Sequence, residues 1–195
     1  MALDEDDPAD MRRGLRAVDR NAARLSRLVN QLLSNATVIH RADIQHFEPF
    51  DLVKVIHSVL HEVVPLAGDT PVRFTTSLQH APLLGDELMF GEALKNLIDN
   101  ALHHGRSEHP AVELELRRDR DDYLLTVADR GPGIPEVDRE RVFERFARDD
   151  DKSPGAGLGL SIVRRAIRSQ HGEVRLLTRE GGGLIVELRL RGRPA

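Results

Sequence analysis

The chain has 195 residues and a formal net charge of −4, and 40% of its residues are hydrophobic. That apolar content is enough for a buried core, and the net acidity argues against a nucleic-acid-binding surface spread over the protein. The absence of cysteine excludes disulfides and thiolate metal sites. No run approaches the roughly 20 apolar residues of a membrane-spanning helix, and the acidic start does not resemble a secretory signal. We therefore expect a soluble chain without a nucleic-acid partner.

The first predicted element is a long amphipathic helix at about residues 8–41. Its apolar residues recur at three- and four-residue steps: Leu15, Val18, Ala22, Leu25, Leu28, Val29, Leu32 and Leu33. A helix of roughly 30 residues suits a coiled coil or helical bundle better than a compact domain. Because one helix cannot bury its own apolar stripe, the pattern predicts self-association or a partner helix.

Beyond Pro49, helical and strand-like segments alternate. Helices are predicted at residues 52–64, 86–104 and 158–171, with a shorter one at 138–146 and a mobile loop at 149–157. Strands are predicted at residues 72–78, 112–117, 123–128, 173–177 and 184–190, and the last two form a hairpin through Gly181-Gly182-Gly183. Asp86 is a candidate N-cap. This mixture predicts a two-layer α/β sandwich with a largely antiparallel or mixed sheet.

Four segments carry candidate chemistry, and the first lies on the helix predicted at 86–104. Glu92, Asn96 and Asn100 are four residues apart, so they share one helix face. Amide oxygens are hard ligands suited to Mg²⁺, which keeps several waters and binds phosphate oxygens. A solvated helix face with two incidental asparagines has the same pattern.

The second segment is the turn Asp129-Arg-Gly131-Pro-Gly133-Ile-Pro135, which directly follows an apolar strand. Its glycines let the backbone approach a ligand closely. The Asp129 carboxylate can accept a hydrogen bond from an exocyclic amine such as that of adenine. An ordinary Asp/Gly/Pro turn has the same composition.

The third segment is Val142-Phe143-Glu-Arg145-Phe146-Ala-Arg148. The two phenylalanines can pack a short helix onto the body, and core packing is the simplest role for both. The two arginines are placed to reach a phosphate.

The fourth segment, Gly155-Ala-Gly157-Leu-Gly159, runs into the helix predicted at 158–171. Glycines before a helix start expose backbone N–H groups to an anion, and the helix dipole favours negative charge there. The spacing fits neither the dinucleotide fingerprint nor a P-loop. Alone, such a glycine cluster is a weak signal.

Taken in order, the four segments resemble the N, G1, F and G2 boxes of bacterial sensor histidine kinases, within the GHKL group of ATP-binding proteins. The resemblance covers residues 47–195, and the stripe at residues 16–33, with the run 24–33 within it, resembles the second helix of the dimerisation and phosphotransfer hairpin. It implies a Bergerat-type catalytic ATP-binding domain at 46–195, preceded at 1–45 by the inter-helix loop and second helix of the hairpin.

The resemblance also implies an activity and partners. Such a kinase binds ATP with Mg²⁺, transfers the γ-phosphate to a histidine and passes it to an aspartate of a response regulator. The parent protein would be a homodimer anchored in the inner membrane, with this part in the cytoplasm.

Roles for individual residues follow from the same resemblance. Asn96 would bind Mg²⁺, and Asn100 would line the pocket near the phosphates. Asp129 would read the adenine amine, with Gly131 and Gly133 shaping that wall.

The glycine segment would close over the phosphates through backbone amides, and Arg148 and Lys152 would help neutralise the γ-phosphate. The predicted lid residues are Gly155, Gly157, Leu158 and Gly159.

His103 and His104 stand where relatives usually carry Lys or Arg and then Tyr. His104 can stack on adenine, and His103 can contact a phosphate only when it is protonated, which would make the contact sensitive to pH. The alternative is that both are ordinary residues of the pocket rim.

The family's phosphoacceptor box is not found in these 195 residues. His61 and Glu62, followed by Pro65, imitate it one residue short, and we interpret His61 as a helix-surface residue. Two alternatives stay open: a non-catalytic nucleotide-binding and dimerisation module, and a GHKL ATPase or anti-sigma-type serine kinase. Glu92 matches the water-activating glutamate of hydrolytic relatives, but we assign it no catalytic role.

Overall fold

The computed structural model describes residues 8–44, 46–105, 111–144 and 159–192. The helices are α1 (Pro8–Ile44), α2 (Leu52–Val63), α3 (Glu87–His104) and α4 (Gly159–Ser169). The strands are β1 (Glu48–Asp51), β2 (Val72–Thr76), β3 (Pro82–Gly85), β4 (Val112–Asp119), β5 (Asp122–Ala128), β6 (Glu173–Thr178) and β7 (Leu184–Arg191). None of the helices in these ranges has the length and apolar character needed to cross a membrane.

The long helix α1 has two different environments along its length. Its C-terminal part packs against α3 and α4, where Ser34 and Val38 are buried. The apolar side chains nearer its start are exposed: Met11, Leu15, Val18, Leu25, Val29, Leu32 and Leu33. The predicted amphipathic helix is therefore confirmed, and most of its apolar stripe lies on the surface of a single chain.

The main sheet has five strands in the order β2-β4-β5-β7-β6. β2 and β4 are parallel, and every other neighbouring pair is antiparallel. Apolar residues line up across the strands, so that Val127 faces Leu114 on one side and Val186 on the other, and all three are buried. With the helices α2, α3 and α4 packed together beside this sheet, the predicted α/β sandwich with a mixed sheet is confirmed.

Two helices begin at an aspartate whose side chain caps them. Asp51 Oδ1 accepts a hydrogen bond from the Val53 N–H at 3.0 Å, and Asp86 Oδ1 accepts one from the Met89 N–H at 3.0 Å. The predicted N-cap at Asp86 is confirmed, and it fixes the start of α3, the helix that carries both candidate asparagines.

Two features differ from the sequence prediction. Where one helix was predicted at 138–146, the described residues form two separate 3₁₀ turns, Glu136–Asp138 and Arg141–Phe143. The second turn ends because Glu144 is extended, with φ −74° and ψ 151°. The antiparallel pair β1–β3 was not predicted, because each of its strands has only four residues. The loop predicted at 149–157 lies outside the described residues.

Candidate functional site

The C-terminal end of α3 lies directly against the turn that follows β5. A Cβ on Gly131 would collide with the backbone carbonyl oxygen of His104, and a Cβ on Gly105 would come within 2.9 Å of the Asp129 Cβ. No side chain fits at either position while the two segments keep this distance. These two glycines therefore allow α3, which carries Asn100, to lie against the turn that carries Asp129, so that both can contribute to one site.

The Asp129 carboxylate is held in a fixed orientation at the end of β5. Its Oδ1 accepts a hydrogen bond from the Gly131 N–H at 2.8 Å and faces the Leu184 N–H at 3.4 Å. The side chain is buried, and both hydrogen bonds that it accepts from the described residues go to Oδ1. One carboxylate oxygen is thus fixed by the protein, and Oδ2 is the one that we expect to accept a bond from a ligand.

Gly133 lies in the same turn as Asp129 and contacts the β6–β7 hairpin. It has a positive φ of +74°, and a Cβ there would come within 2.9 Å of the Gly183 carbonyl oxygen. The G1-type turn therefore packs on the β6–β7 hairpin as well as on α3.

Asn100 lies beside the first residue of α4. A Cβ placed on Gly159 would be 2.8 Å from Asn100 Nδ2 and 2.9 Å from Asn100 Oδ1. The start of α4, which is suited to binding an anion, therefore lies next to the hard amide oxygen of Asn100. Two of the predicted site residues, from segments about 60 residues apart, therefore lie side by side in the fold.

Asn96 faces a different neighbour. Its side chain is 7% exposed, and its Nδ2 donates hydrogen bonds to Ser34 Oγ of α1 at 2.9 Å and to the Glu92 carbonyl oxygen at 2.8 Å. The amide predicted as the Mg²⁺ ligand is therefore packed against α1. Of the two α3 asparagines, Asn100 is the one whose amide adjoins the Gly159 end of the site.

His103 and His104 end α3 next to Asp129. His103 Nδ1 lies 3.2 Å from the Asp99 carbonyl oxygen and 3.4 Å from Asp99 Oδ1. Its Nε2 is buried without a hydrogen-bond partner in the described part of the chain. Because Nδ1 faces a carbonyl oxygen and so carries the hydrogen, Nε2 of the neutral ring is an acceptor, and a hydrogen-bond donor of a ligand would satisfy it.

Burial lowers the pKa of His104 below its usual 6.5, and the neighbouring charge of His103 lowers it further. The Asp129 and Asp99 carboxylates act in the opposite direction. The His104 imidazole is therefore favoured in its neutral form, which suits stacking better than charge pairing.

The F-type segment is fixed to α4 by one arginine. Phe143 is buried in the core, and the Arg164 guanidinium lies 4.7 Å from the centre of its ring. Arg164 also donates to the Phe143 carbonyl oxygen at 3.2 Å and pairs with Glu140 at 3.3 Å. The expected packing role of Phe143 is confirmed. Sequence reasoning missed Arg164, since an arginine on an amphipathic helix gives no distinguishing signal.

Several predicted site residues lie outside the residues that the structure describes: Arg145, Phe146, Arg148, Lys152, Gly155, Gly157 and Leu158.

Across the described ranges, no three His, Asp or Glu side chains converge as a metal site. A Mg²⁺ ion held by one amide oxygen, waters and nucleotide phosphates needs no such cluster. The hard oxygen of Asn100, beside the start of α4, fits that kind of ion.

The fold and these contacts are those of an ATPase-type domain, and comparison with known proteins supports this. The chain belongs to the family described as histidine kinase-, DNA gyrase B-, and HSP90-like ATPase, whose profile matches residues 85–194. Membership in this family implies nucleotide use.

Among individual relatives, the sensor protein kinase PmrB of Pseudomonas aeruginosa is 31% identical over 191 residues, which are 96% of this chain and 40% of PmrB. The mycobacterial sensor histidine kinase MprB has 32% identity and a TM-score of 0.68, over 77% of this chain and 100% of that structure. Full-length ShkA in complex with AMPPNP has 27% identity and a TM-score of 0.73, over 95% of this chain and 40% of ShkA.

The chain thus spans less than half the length of the curated relatives first matched. The resemblance to sensor histidine kinases, stated above from the four boxes, is confirmed.

Proposed function

We propose that this chain is the ATP-binding catalytic part of a two-component sensor histidine kinase. The observation that carries the proposal is the meeting of three elements at one end of α3. Asn100 adjoins Gly159 at the start of α4, and the last turn of α3 adjoins Asp129 and Gly131. An amide, a carboxylate and a helix start suit, respectively, the metal, the adenine amine and the phosphates of one Mg·ATP.

In this arrangement the adenine amine donates to Oδ2 of Asp129. Asn100 Oδ1 would hold Mg²⁺, because the Asn100 amide adjoins Gly159 at the start of α4, whereas the Asn96 amide packs against Ser34 of α1. The assignment of Mg²⁺ to Asn96 stays a prediction, and it is tested below against Asn100. The buried Nε2 of His103, which has no partner among the described residues, is a candidate hydrogen-bond acceptor for a hydroxyl group of the nucleotide.

The phosphates extend toward Gly159 and the residues before it. The lid glycines Gly155 and Gly157 would supply backbone amides. Arg148 and Lys152 would neutralise the γ-phosphate. These roles rest on the resemblance of the G2 and F boxes.

The reaction is phosphoryl transfer to an imidazole nitrogen. The bond between the γ-phosphorus and the β–γ bridging oxygen breaks, a P–N bond forms with a histidine of a phosphoacceptor helix, and ADP leaves. The phosphoryl group then passes to an aspartate of a response regulator. In such reactions the protein contributes mostly positioning and charge stabilisation. The names of the relatives, which are sensor kinases, support this activity.

The division into a hairpin part at 1–45 and a catalytic part at 46–195 is likewise a proposal. It is supported by the exposed apolar residues of α1, which a second copy of the chain would cover in a parallel pairing of helices. We propose that the parent protein is a homodimer that carries this part in the cytoplasm and its membrane anchor elsewhere.

The nucleotide site is tested by titrating a fluorescent ATP analogue in the presence of Mg²⁺. We expect Asp129→Ala to weaken binding by at least about tenfold, because the buried hydrogen bond that the adenine amine donates to a charged acceptor is lost. Asp119→Ala is the matched control, since Asp119 pairs with Arg189 at the far end of β4. Equal affinity of Asp129→Ala and the control would overturn the assignment.

A second candidate function is a non-catalytic nucleotide-binding module that works by pairing α1 with another helix. The exposed apolar stripe of α1 favours it. Adding a separate phosphoacceptor helix from a relative discriminates between the two. ATP-dependent phosphorylation of that helix supports the kinase, and association that needs no nucleotide, without phosphorylation, supports the module.

A further inference from the structure

The β6–β7 hairpin touches the backbone of Asp129, and one arginine bridges the contact. A Cβ on Gly183, whose φ is +116°, would collide with the Asp129 carbonyl oxygen, so the hairpin lies directly on that residue. Arg179, at the start of the hairpin turn, donates through Nη1 to the same carbonyl oxygen at 3.2 Å. The hairpin therefore contacts the residue proposed to read adenine both sterically and by a hydrogen bond.

The other end of the Arg179 guanidinium is fixed by a carboxylate. Nη2 donates to Glu113 Oε2 on β4 at 2.5 Å, and Arg130 lies 4.0 Å from Glu113 Oε1. The Arg179 side chain is only 11% exposed. An arginine with both nitrogens engaged in this way is rigid, because its planar group fits two acceptors at once.

The hairpin is itself tied to the Asp129 side chain. The Asp129 N–H donates to the Leu184 carbonyl oxygen at 2.9 Å, and the Leu184 N–H faces Asp129 Oδ1 at 3.4 Å. The Arg179 N–H donates to the Gly183 carbonyl oxygen at 3.2 Å, which closes the turn. A shift of this hairpin would therefore move the Asp129 carboxylate.

We propose that Arg179 is a positioning residue for adenine recognition: by bridging Glu113 and the Asp129 backbone, it holds Asp129 Oδ2 where the exocyclic amine must bind. The inference rests on the proposed function, since it assumes that Asp129 reads the base. Both terminal nitrogens of Arg179 are bonded to protein oxygens, so we expect this side chain to contact neither the base nor the phosphates. Its loss should therefore weaken recognition of the base more than it weakens binding of the triphosphate.

The test compares ATP with ITP, which has a carbonyl oxygen in place of the exocyclic amine. Each nucleotide is used to displace a fluorescent ATP analogue from the wild-type protein, Arg179→Gln and Arg189→Gln in the presence of Mg²⁺. Arg189 is a matched control because it also bridges two carboxylates, Asp119 and Asp122, at the far end of β7. Thermal unfolding of each variant reports the general cost of losing an arginine.

We expect wild type and Arg189→Gln to prefer ATP to ITP by the same ratio. In Arg179→Gln that ratio should fall by about three- to tenfold, mainly through weaker ATP binding. An unchanged ratio in folded Arg179→Gln would overturn the inference and leave the nucleotide site standing. A wild type that binds no nucleotide, or does not prefer ATP, would overturn the proposed function and the inference with it.

If Arg179→Gln does not fold, Glu113→Gln is measured in the same way. This change removes the charge that fixes Nη2 and leaves Arg179 in place, so a smaller fall in the ATP-to-ITP ratio is expected. An unchanged ratio in this variant would also overturn the inference.

Discussion

Asp86 offers the sharpest test of how α3 is held in place. It is 1% exposed and makes three contacts: Oδ1 caps Met89 N–H at 3.0 Å, Oδ2 accepts from Arg41 Nε at 2.6 Å, and its own N–H donates to Gln170 Oε1 at 2.9 Å. These contacts join α3 to α1 and to the residue that follows α4. The aspartate therefore fixes the helix that carries the candidate site.

Replacing Asp86 with alanine removes the cap and the ion pair but keeps the backbone contact. Loss of an N-cap costs about 1 kcal/mol, and loss of a charged hydrogen bond about 1.5–3 kcal/mol. Arg41 keeps 26% of its side chain exposed, so its charge stays partly hydrated after the change and the larger penalty of a fully buried pair does not apply. We expect the free energy of unfolding to fall by about 3 kcal/mol and the melting temperature by about 6–12 °C.

The assay is urea and thermal unfolding followed by circular dichroism, with Asp86→Asn and Glu173→Ala alongside. Asp86→Asn keeps a capping oxygen but loses the ion pair with Arg41, so it should lose about two thirds as much stability. Glu173→Ala breaks an exposed pair with Arg175 and should change stability by less than about 0.5 kcal/mol. A loss below about 1 kcal/mol in Asp86→Ala would refute this reasoning.

Further predictions concern the site itself. Gly159→Ala should weaken Mg·ATP binding by about tenfold or more, because the added Cβ would press on the Asn100 amide. The affinity is measured by titration, and an unchanged value would mean that the two residues do not share a ligand. Asn100→Ala should abolish the Mg²⁺ dependence of nucleotide binding. Asn96→Ala should chiefly lower the free energy of unfolding, by about 1 kcal/mol, because its hydrogen bond to Ser34 is lost. The reverse pattern would restore the sequence-based assignment of the metal to Asn96. The pKa of His104 is lowered in the folded state, so protonation of this imidazole favours unfolding. The contribution of the neutral His104 to stability is therefore complete above pH 6.5 and is lost as the pH falls through the lowered pKa. His104→Gln should therefore flatten the decline in stability with acidification, and an equal decline in denaturant titrations of both proteins would contradict this.

The sequence was informative where local chemistry decides structure. The period of the apolar residues predicted α1, α3 and β4, and Asp86 stands where a helix needs its first cap. That Asn100 and Gly159 belong to one nucleotide site was predicted only because the four boxes occur together in a known order. No local signal says that these two residues touch.

Other features depend on tertiary contacts that a single sequence does not reveal. Asn96 and Asn100 have the same residue type and share a helix face, and only the packing of α1 against α3 separates their roles. Arg179 is one arginine among many charged residues, and its importance comes from the distance between the β6–β7 hairpin and Asp129. The two-stranded β1–β3 pair is too short to show a periodic pattern.

The most direct test of the central claim is a crystal structure of this chain with AMPPNP and Mg²⁺. We predict that the adenine amine lies within hydrogen-bonding distance of Asp129 Oδ2, the metal beside Asn100, and the phosphates next to Gly159. A nucleotide bound elsewhere, or one whose adenine does not contact Asp129, would contradict the account.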